Sequence, residues 1–176
     1  MKAAIITGSS SGVGKELTQL LLNKGWFVYG ISRSNTITHD LFIHDSVDLS
    51  DIKNIESYEL PNICCDEILL VNSAATLGNI VPFDKKENYN LLAEINCNLI
   101  SPIILFNKFI KKFNNVKKTI FSISSGAAAK PIHSWSTYCA SKSGLELLSQ
   151  VLKNESINSN LRIFSIHPGI VDTPMQ

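Results

Sequence analysis

The sequence predicts an α/β domain built as a doubly wound parallel sheet, with helices on both faces and the strand order 3-2-1-4-5-6. Three observations carry this. Short β-rich runs alternate with longer stretches of helical periodicity from one end of the chain to the other. The first strand runs directly into a glycine-rich turn that opens a helix. Strands joined through helices run parallel, and their crossovers are right-handed, which leaves few topologies.

Taken in order, Lys2 to Thr7 is a short apolar run bounded by Gly8, as in a buried strand. Val13, Leu17, Leu20 and Leu21 recur at helical spacing, and Gly25 sits where a left-handed residue closes a helix. Trp26 to Ile31 is the second strand, and Leu41 to His44 a weaker third, reached through the polar stretch Ser32 to Asp40. Asp51 to Tyr58 makes a short helix and Glu67 to Val71 the fourth strand. A long helix is expected from Lys85 to Phe113, with Pro102 bending it or removing one hydrogen bond. Lys118 to Ile123 is the fifth strand, Ser136 to Lys153 a helix, and Leu161 to Ile166 the sixth strand. This is a Rossmann-like three-layer αβα pattern, read as one domain over residues 1–176.

Composition narrows the function classes. The 176 residues carry a net charge of +1, with 44% hydrophobic and 18% charged residues, which excludes global disorder. No basic tract is present to attract nucleic acid. The N-terminal apolar run is too short for a signal peptide, and no run reaches the roughly 18 consecutive apolar residues of a membrane span. Cys64, Cys65, Cys97 and Cys139 lack metal-ligand spacing and are expected to be buried free thiols in a reducing cytoplasm. His39, His44, His133 and His167 show no ligand-like clustering, so no metal is expected.

The turn after the first strand reads Thr7-Gly8-Ser9-Ser10-Ser11-Gly12-Val13-Gly14. Its glycines let the backbone approach a pyrophosphate, whose charge meets the N–H groups at the helix start. Gly8, Ser10, Ser11, Gly12, Val13 and Gly14 are therefore candidate cofactor-binding residues; a tight turn without ligand is the plain alternative. The second strand ends in Ile31-Ser32-Arg33-Ser34, with no acidic residue to accept a ribose 2′-hydroxyl. Arg33 suits a 2′-phosphate, which favours NADP(H) over NAD(H), although a solvated arginine is the commoner use. Asp48 and Leu49 follow the third strand, where Asp48 can accept from the adenine amino group; otherwise it caps the next helix, in competition with Ser50.

A second motif is Ser124-Ser125-Gly126 followed by Tyr138-Cys139-Ala140-Ser141-Lys142. Residues four apart on a helix share a face, so Lys142 reaches Tyr138. A nearby ammonium favours the phenolate and is expected to lower the Tyr138 pKa. A serine at the end of the fifth strand can bond an oxygen on which charge changes. Each element alone is ordinary; together with the glycine loop they define an active site.

These motifs make the sequence resemble the short-chain dehydrogenase/reductase family along essentially its whole length. Thr7 to Gly14 is similar to the family's Thr-Gly-x-x-x-Gly-x-Gly, and Tyr138 with Lys142 to its Tyr-x-x-x-Lys. The resemblance selects Ser125, thirteen residues before Tyr138, over Ser124 as catalytic serine. It selects Asn98, in Asn98-Leu99-Ile100-Ser101-Pro102, over Asn96 as the fourth member. Asn72-Ser73-Ala74-Ala75 resembles the family's Asn-Asn-Ala-Gly, which places Asn72 and Ala74 at the cofactor, with Ala75 a departure. Pro168, Gly169, Val171 and Thr173 resemble the nicotinamide-side loop. Ser11 departs from NADP-preferring members, many of which have a basic residue there.

The resemblance implies hydride transfer between a nicotinamide and a carbonyl or alcohol carbon. Tyr138 is the proton donor, Ser125 orients the oxygen, Lys142 tunes Tyr138 and holds the ribose, and Asn98 anchors a relaying water. Trp135, in the stretch joining Ser125 to Tyr138, is either an aromatic wall of the pocket or packing beneath the loop. The chain looks most like sepiapterin- and benzil-reductase-type members, which implies a ketone or diketone substrate. A secondary-alcohol dehydrogenase and a non-catalytic NADP-binding regulator are the alternatives. The resemblance also implies a homodimer through the long helix and the Tyr138 helix, and a homotetramer if a further C-terminal segment exists. Family members continue past Pro168-Gly169 with substrate-covering helices and a seventh strand, so the sequence is expected to be part of a longer protein; an intact mass of 19.4 kDa would refute that.

Overall fold

The computed structural model describes residues 1–157, 159–169 and 171. Strand β1 (Lys2–Thr7) lies at the centre of a parallel sheet, between β2 (Phe27–Ser32) and β4 (Glu67–Asn72). Strand β3 (Phe42–Ser46) extends the sheet beyond β2, and β5 (Lys117–Ile123) and β6 (Leu161–Ile166) extend it beyond β4. The order is β3-β2-β1-β4-β5-β6, as the alternation of elements predicts. Thr7 stands opposite both Ile31 and Asn72, and Asn72 opposite Ser122, so the strands end together. The loops leaving those ends converge on one rim, where doubly wound sheets bind ligands.

Alternation along β1 explains the three layers. Ala3 and Ile5 face one apolar cluster, with Ile68, Leu70, Leu105, Phe106, Phe109 and Leu145. Ala4 and Ile6 face the other, with Leu21, Leu22, Val28 and Val71. Both faces of a central parallel strand are buried, so β1 reads as a continuous apolar run.

Helix α1 (Gly12–Asn23) ends as expected: Gly25 has a φ of 75°, and its N–H donates to the Leu22 carbonyl at 2.9 Å. Helix α2 (Ile52–Ser57) is capped by Asp51, whose carboxylate accepts from Lys53 N–H. Neither Asp48 nor Ser50 caps it; instead the Asp48 carboxylate accepts from the Ser50 N–H and hydroxyl.

The expected long helix is three pieces: α3 (Asn88–Ile95), a π-helical turn (Asn96–Ile100) and α4 (Ser101–Lys112), after a separate 3₁₀ turn at Phe83–Lys85. The irregularity precedes Pro102, which sits in the first turn of α4 where a missing N–H is tolerated. Asn88–Lys112 is long and apolar enough to cross a membrane by composition, but its Leu105, Phe106 and Phe109 pack into the core against the sheet. Helix α5 (Ser136–Glu155) runs two residues beyond the prediction. All four cysteines are free, but Cys64 is exposed and the other three are only partly buried: Cys64 and Cys65 lie in an irregular surface segment, and Cys97 and Cys139 on helical turns.

Candidate active site

The glycine loop is shaped by positive φ angles at Gly8 (71°) and Gly12 (51°), a conformation that favours glycine. Gly14 serves packing: a Cβ there would stand 2.3 Å from the Gly8 carbonyl oxygen. Thr7 ties the loop to β4. Its hydroxyl donates to Asn72 Oδ1 at 3.3 Å and accepts from the N–H groups of Ser73 and Ala74 at 3.1 and 3.0 Å. The Ser11 side chain at the start of α1 makes no capping hydrogen bond, which leaves the first N–H groups for an anion.

A cavity of about 670 Å³ runs along the rim of the sheet. Gly8, Ser10, Ser11, Gly12 and Val13 line it together with Arg33, Asp48, Leu49 and Ala74. Ser125, Tyr138, Lys142, Pro168, Gly169 and Val171 line it further along. Three expected site residues lie behind this lining and shape it indirectly. Gly14 packs under Gly8, Asn72 is buried against Thr7, and Asn98 is buried against Thr76. Thr173 falls outside the described residues. At the outer end, Arg33 is exposed and lies near enough to Asp48 to help hold its carboxyl below the ordinary range, although the Ser50 hydroxyl contributes most. Ala75, the departure from the family pattern, is accommodated without strain: among the described non-glycine residues only Ser134 has a positive φ.

At the centre, Ser125 ends the extended chain after β5 and caps a short 3₁₀ turn, its Oγ accepting from Ala127 N–H at 3.2 Å. Tyr138 stands in the first turn of α5 and is largely buried, with the Trp135 ring edge-on at 5.5 Å. Trp135 also lines the cavity, so it is both wall and packing. Burial raises the Tyr138 pKa, and the nearby Ser125 hydroxyl opposes that. The expected lowering by Lys142 does not occur. The ammonium lies 5.6 Å from the ring centroid and donates to the Ile123 carbonyl at 2.8 Å, and desolvation of the phenol outweighs every opposing influence. Burial also lowers the Lys142 pKa to about 8.

Asn98 is engaged at both ends of its amide: Oδ1 accepts from Thr76 N–H and Nδ2 donates to the Thr76 carbonyl, each at 2.8 Å. Asn96, read as the alternative, is not a free surface amide but donates to the Ser50 carbonyl at 3.1 Å. The sequence reading missed one wall of the cavity, made by Thr76–Asn79 with Asn90, Ala93 and Glu94. It also missed Lys86, paired with Glu94 beneath that wall at 2.7 Å. Apart from opposite charges eight residues apart, no sequence signal marks that pair.

Residues 66–176 match the sequence profile described as short chain dehydrogenase. A benzil reductase ((S)-benzoin forming) of Bacillus cereus is 32% identical, with the alignment covering 100% of this chain and 78% of the relative. Sepiapterin reductase of Rattus norvegicus is 32% identical over 98% of this chain and 75% of its own length. Among solved structures, a short-chain dehydrogenase/reductase from Burkholderia vietnamiensis superposes with a TM-score of 0.88 at 27% identity, covering 98% of this chain and 85% of that one. The glycine loop and the Tyr138–Lys142 turn thus sit in a fold and a sequence neighbourhood that agree, and the chain belongs to the short-chain dehydrogenase/reductase family of oxidoreductases, which act between C–OH and C=O groups with a nicotinamide cofactor.

Proposed function

We propose that the chain is an NADP(H)-dependent reductase of ketones or diketones. The observation that carries this reading is the placement of Tyr138 and Lys142 one helical turn apart in the cavity that Ser125 also lines. Benzil and sepiapterin reductases among the relatives support a ketone or diketone substrate. Arg33 in the cavity lining, without an acidic neighbour at the end of β2, supports a 2′-phosphate and hence NADP(H).

The cofactor fits the residues present. The positive-φ glycines and the uncapped start of α1 suit a pyrophosphate, and Arg33 and Asp48 stand at the adenosine end. Lys142 would hold the nicotinamide ribose, and Pro168, Gly169 and Val171 border the ring end. The sequence call on Thr173, the carboxamide contact of that reading, lies outside the described residues. When bound, the cofactor supplies the hydride.

The chain's own groups handle the proton. With its pKa raised, Tyr138 is protonated at neutral pH, the state a donor to a carbonyl oxygen requires. Ser125 orients that oxygen and shares its developing charge. Lys142, charged below about pH 8, stands 5.6 Å from the Tyr138 ring centroid. Asn98, whose two amide atoms bond the Thr76 backbone and hold the cavity wall, would anchor the relaying water through its remaining hydrogen-bonding capacity.

Two copies pairing through α3–α4 and α5 belong to the same reading, supported by the exposed Tyr89, Leu92, Ile103, Leu147 and Val151. The four free cysteines suit a reducing compartment such as the cytoplasm. NADPH oxidation measured with benzil, sepiapterin and simple ketones tests the reading. Tyr138→Phe should lower kcat by about 10²–10⁴-fold while the NADPH Kd stays within about twofold. Tight NADPH binding with no Tyr138-dependent turnover on any carbonyl would point instead to a non-catalytic regulator.

A further inference from the structure

Beneath the cavity wall lies an ion pair that the proposed chemistry does not use. The Lys86 side chain is 0% and that of Glu94 3% exposed, and Lys86 Nζ donates to the two Glu94 oxygens at 2.9 and 2.7 Å. Desolvating two charges is costly, so a buried pair invites the question of what it holds in place.

Three segments meet on this one carboxylate. Glu94 itself belongs to α3. Its Oε1 accepts the Asn79 N–H at 2.9 Å, which fastens the loop after β4. Its Oε2 accepts the Thr137 hydroxyl, and Lys86 Nζ lies 3.0 Å from the same Oγ1, which fastens the first turn of α5. Thr137 immediately precedes Tyr138. Gly78 permits the close approach: its φ is 62°, and a Cβ there would fall 1.9 Å from Glu94 Oε1. One helical turn further on, Asn98 grips Thr76 by both amide atoms. Glu94 and Asn98, four residues apart, therefore clamp the segment Thr76–Asn79 that lines the cavity.

We propose that Glu94, neutralised by Lys86, is a positioning residue: by bonding Asn79 and Thr137 together it fixes the cavity wall relative to the turn that carries Tyr138, and so sets how a carbonyl is aligned for proton donation. The inference rests on the carbonyl-reductase reading of the site. A misplacement of a fraction of an ångström between donor and acceptor is felt in kcat, whereas a tie that only stabilises the fold would leave the folded enzyme's kinetics unchanged.

Thr137→Val removes the hydroxyl and keeps the shape, whereas Thr137→Ser keeps the hydroxyl. With NADPH and a carbonyl that the unmodified protein reduces, Thr137→Val should lower kcat about tenfold or more with the NADPH Kd within about twofold. Thr137→Ser should restore most of the loss. Because a single charge removal leaves its partner buried alone, Lys86 and Glu94 are replaced together, as Lys86→Met/Glu94→Leu. That variant should show both a lower kcat and a higher KM for the carbonyl. Kinetics unchanged from the unmodified protein in folded Thr137→Val and in the double variant would overturn the inference.

Amide hydrogen exchange gives a readout that needs no turnover. The Asn79 N–H should exchange about tenfold faster in the double variant, since its acceptor is gone. Unchanged exchange there would also overturn the inference. Absence of carbonyl reduction by the unmodified protein would instead overturn the carbonyl-reductase reading, and the exchange result would still decide whether the tie exists.

Discussion

Lys142 is held where its charge is useful and its hydration is lost. It is 3% exposed, donates to the Ile123 carbonyl, and has its pKa lowered by burial from 10.5 to about 8. Below pH 8 it is charged in both folded and unfolded chains, and the burial cost, on the order of 3 kcal/mol, is present in full. Between pH 8 and 10.5 the unfolded chain binds more protons, so this residue makes folded stability rise with pH. Urea unfolding at intervals from pH 7 to 10 should therefore show Lys142→Met losing that rise, its stability difference from the unmodified protein changing steadily above pH 8. Arg33 presents the opposite case, an exposed cation at the far end of the cavity. Arg33→Ala should reduce the preference for NADP over NAD by about tenfold, the scale of one charge-assisted contact. Paired affinity measurements check it, and an unchanged ratio would remove Arg33 from the cofactor site.

At the scale of elements, the glycine loop depends on how closely α1 can approach β1. A methyl group on Gly14 would meet the Gly8 carbonyl at 2.3 Å, and backbone cannot yield as a side-chain tip can. Gly14→Ala should cost about 1–3 kcal/mol in urea unfolding and weaken NADPH binding about tenfold or more, although Gly14 does not line the cavity. The strands were legible because buried parallel strands are short apolar runs: β1 and β6 fall where the sequence places them, and the others shift by one or two residues. The break in the long helix was expected because proline announces one, but its position was not. The π turn at Asn96–Ile100 puts Asn98 beneath Thr76, and that contact joins residues 22 apart in sequence. Glu94 was illegible for the same reason, since its partners Asn79, Lys86 and Thr137 become neighbours only through tertiary packing. Tyr138 and Lys142 were legible as a pair because helix periodicity puts them on one face, whereas strand-end placement offered Ser124 and Ser125 alike and only the family resemblance chose between them. The direction of the Tyr138 shift was not legible, since burial is a property of the assembled layers.

Across the whole molecule the two faces of the sheet are unequal. The face covered by α2, α4 and α5 packs Phe106, Phe109, Leu105 and Leu145 against Ile5, Ile68, Leu70 and Ile120, all at most 1% exposed. The other face gathers a smaller cluster around α1, with Leu21, Leu22, Val28 and Val71. Toward its β5–β6 side, Phe121 and Phe164 stack on each other at 5.2 Å, while Phe164 remains 45% exposed. The cost of deleting an aromatic side chain follows the contacts and burial it loses, not its chemistry, so the same substitution should read out the asymmetry. Phe109→Ala should cost about 3–5 kcal/mol, because it opens a cavity in the larger cluster that both long helices and the sheet enclose. Phe164→Ala should cost under about 1 kcal/mol, because much of that ring already meets water. Urea midpoints for the two variants give the comparison directly. Equal costs would mean that Phe164 is covered in solution, by a second copy or by further chain, and that the smaller cluster extends across the β5–β6 end of the sheet.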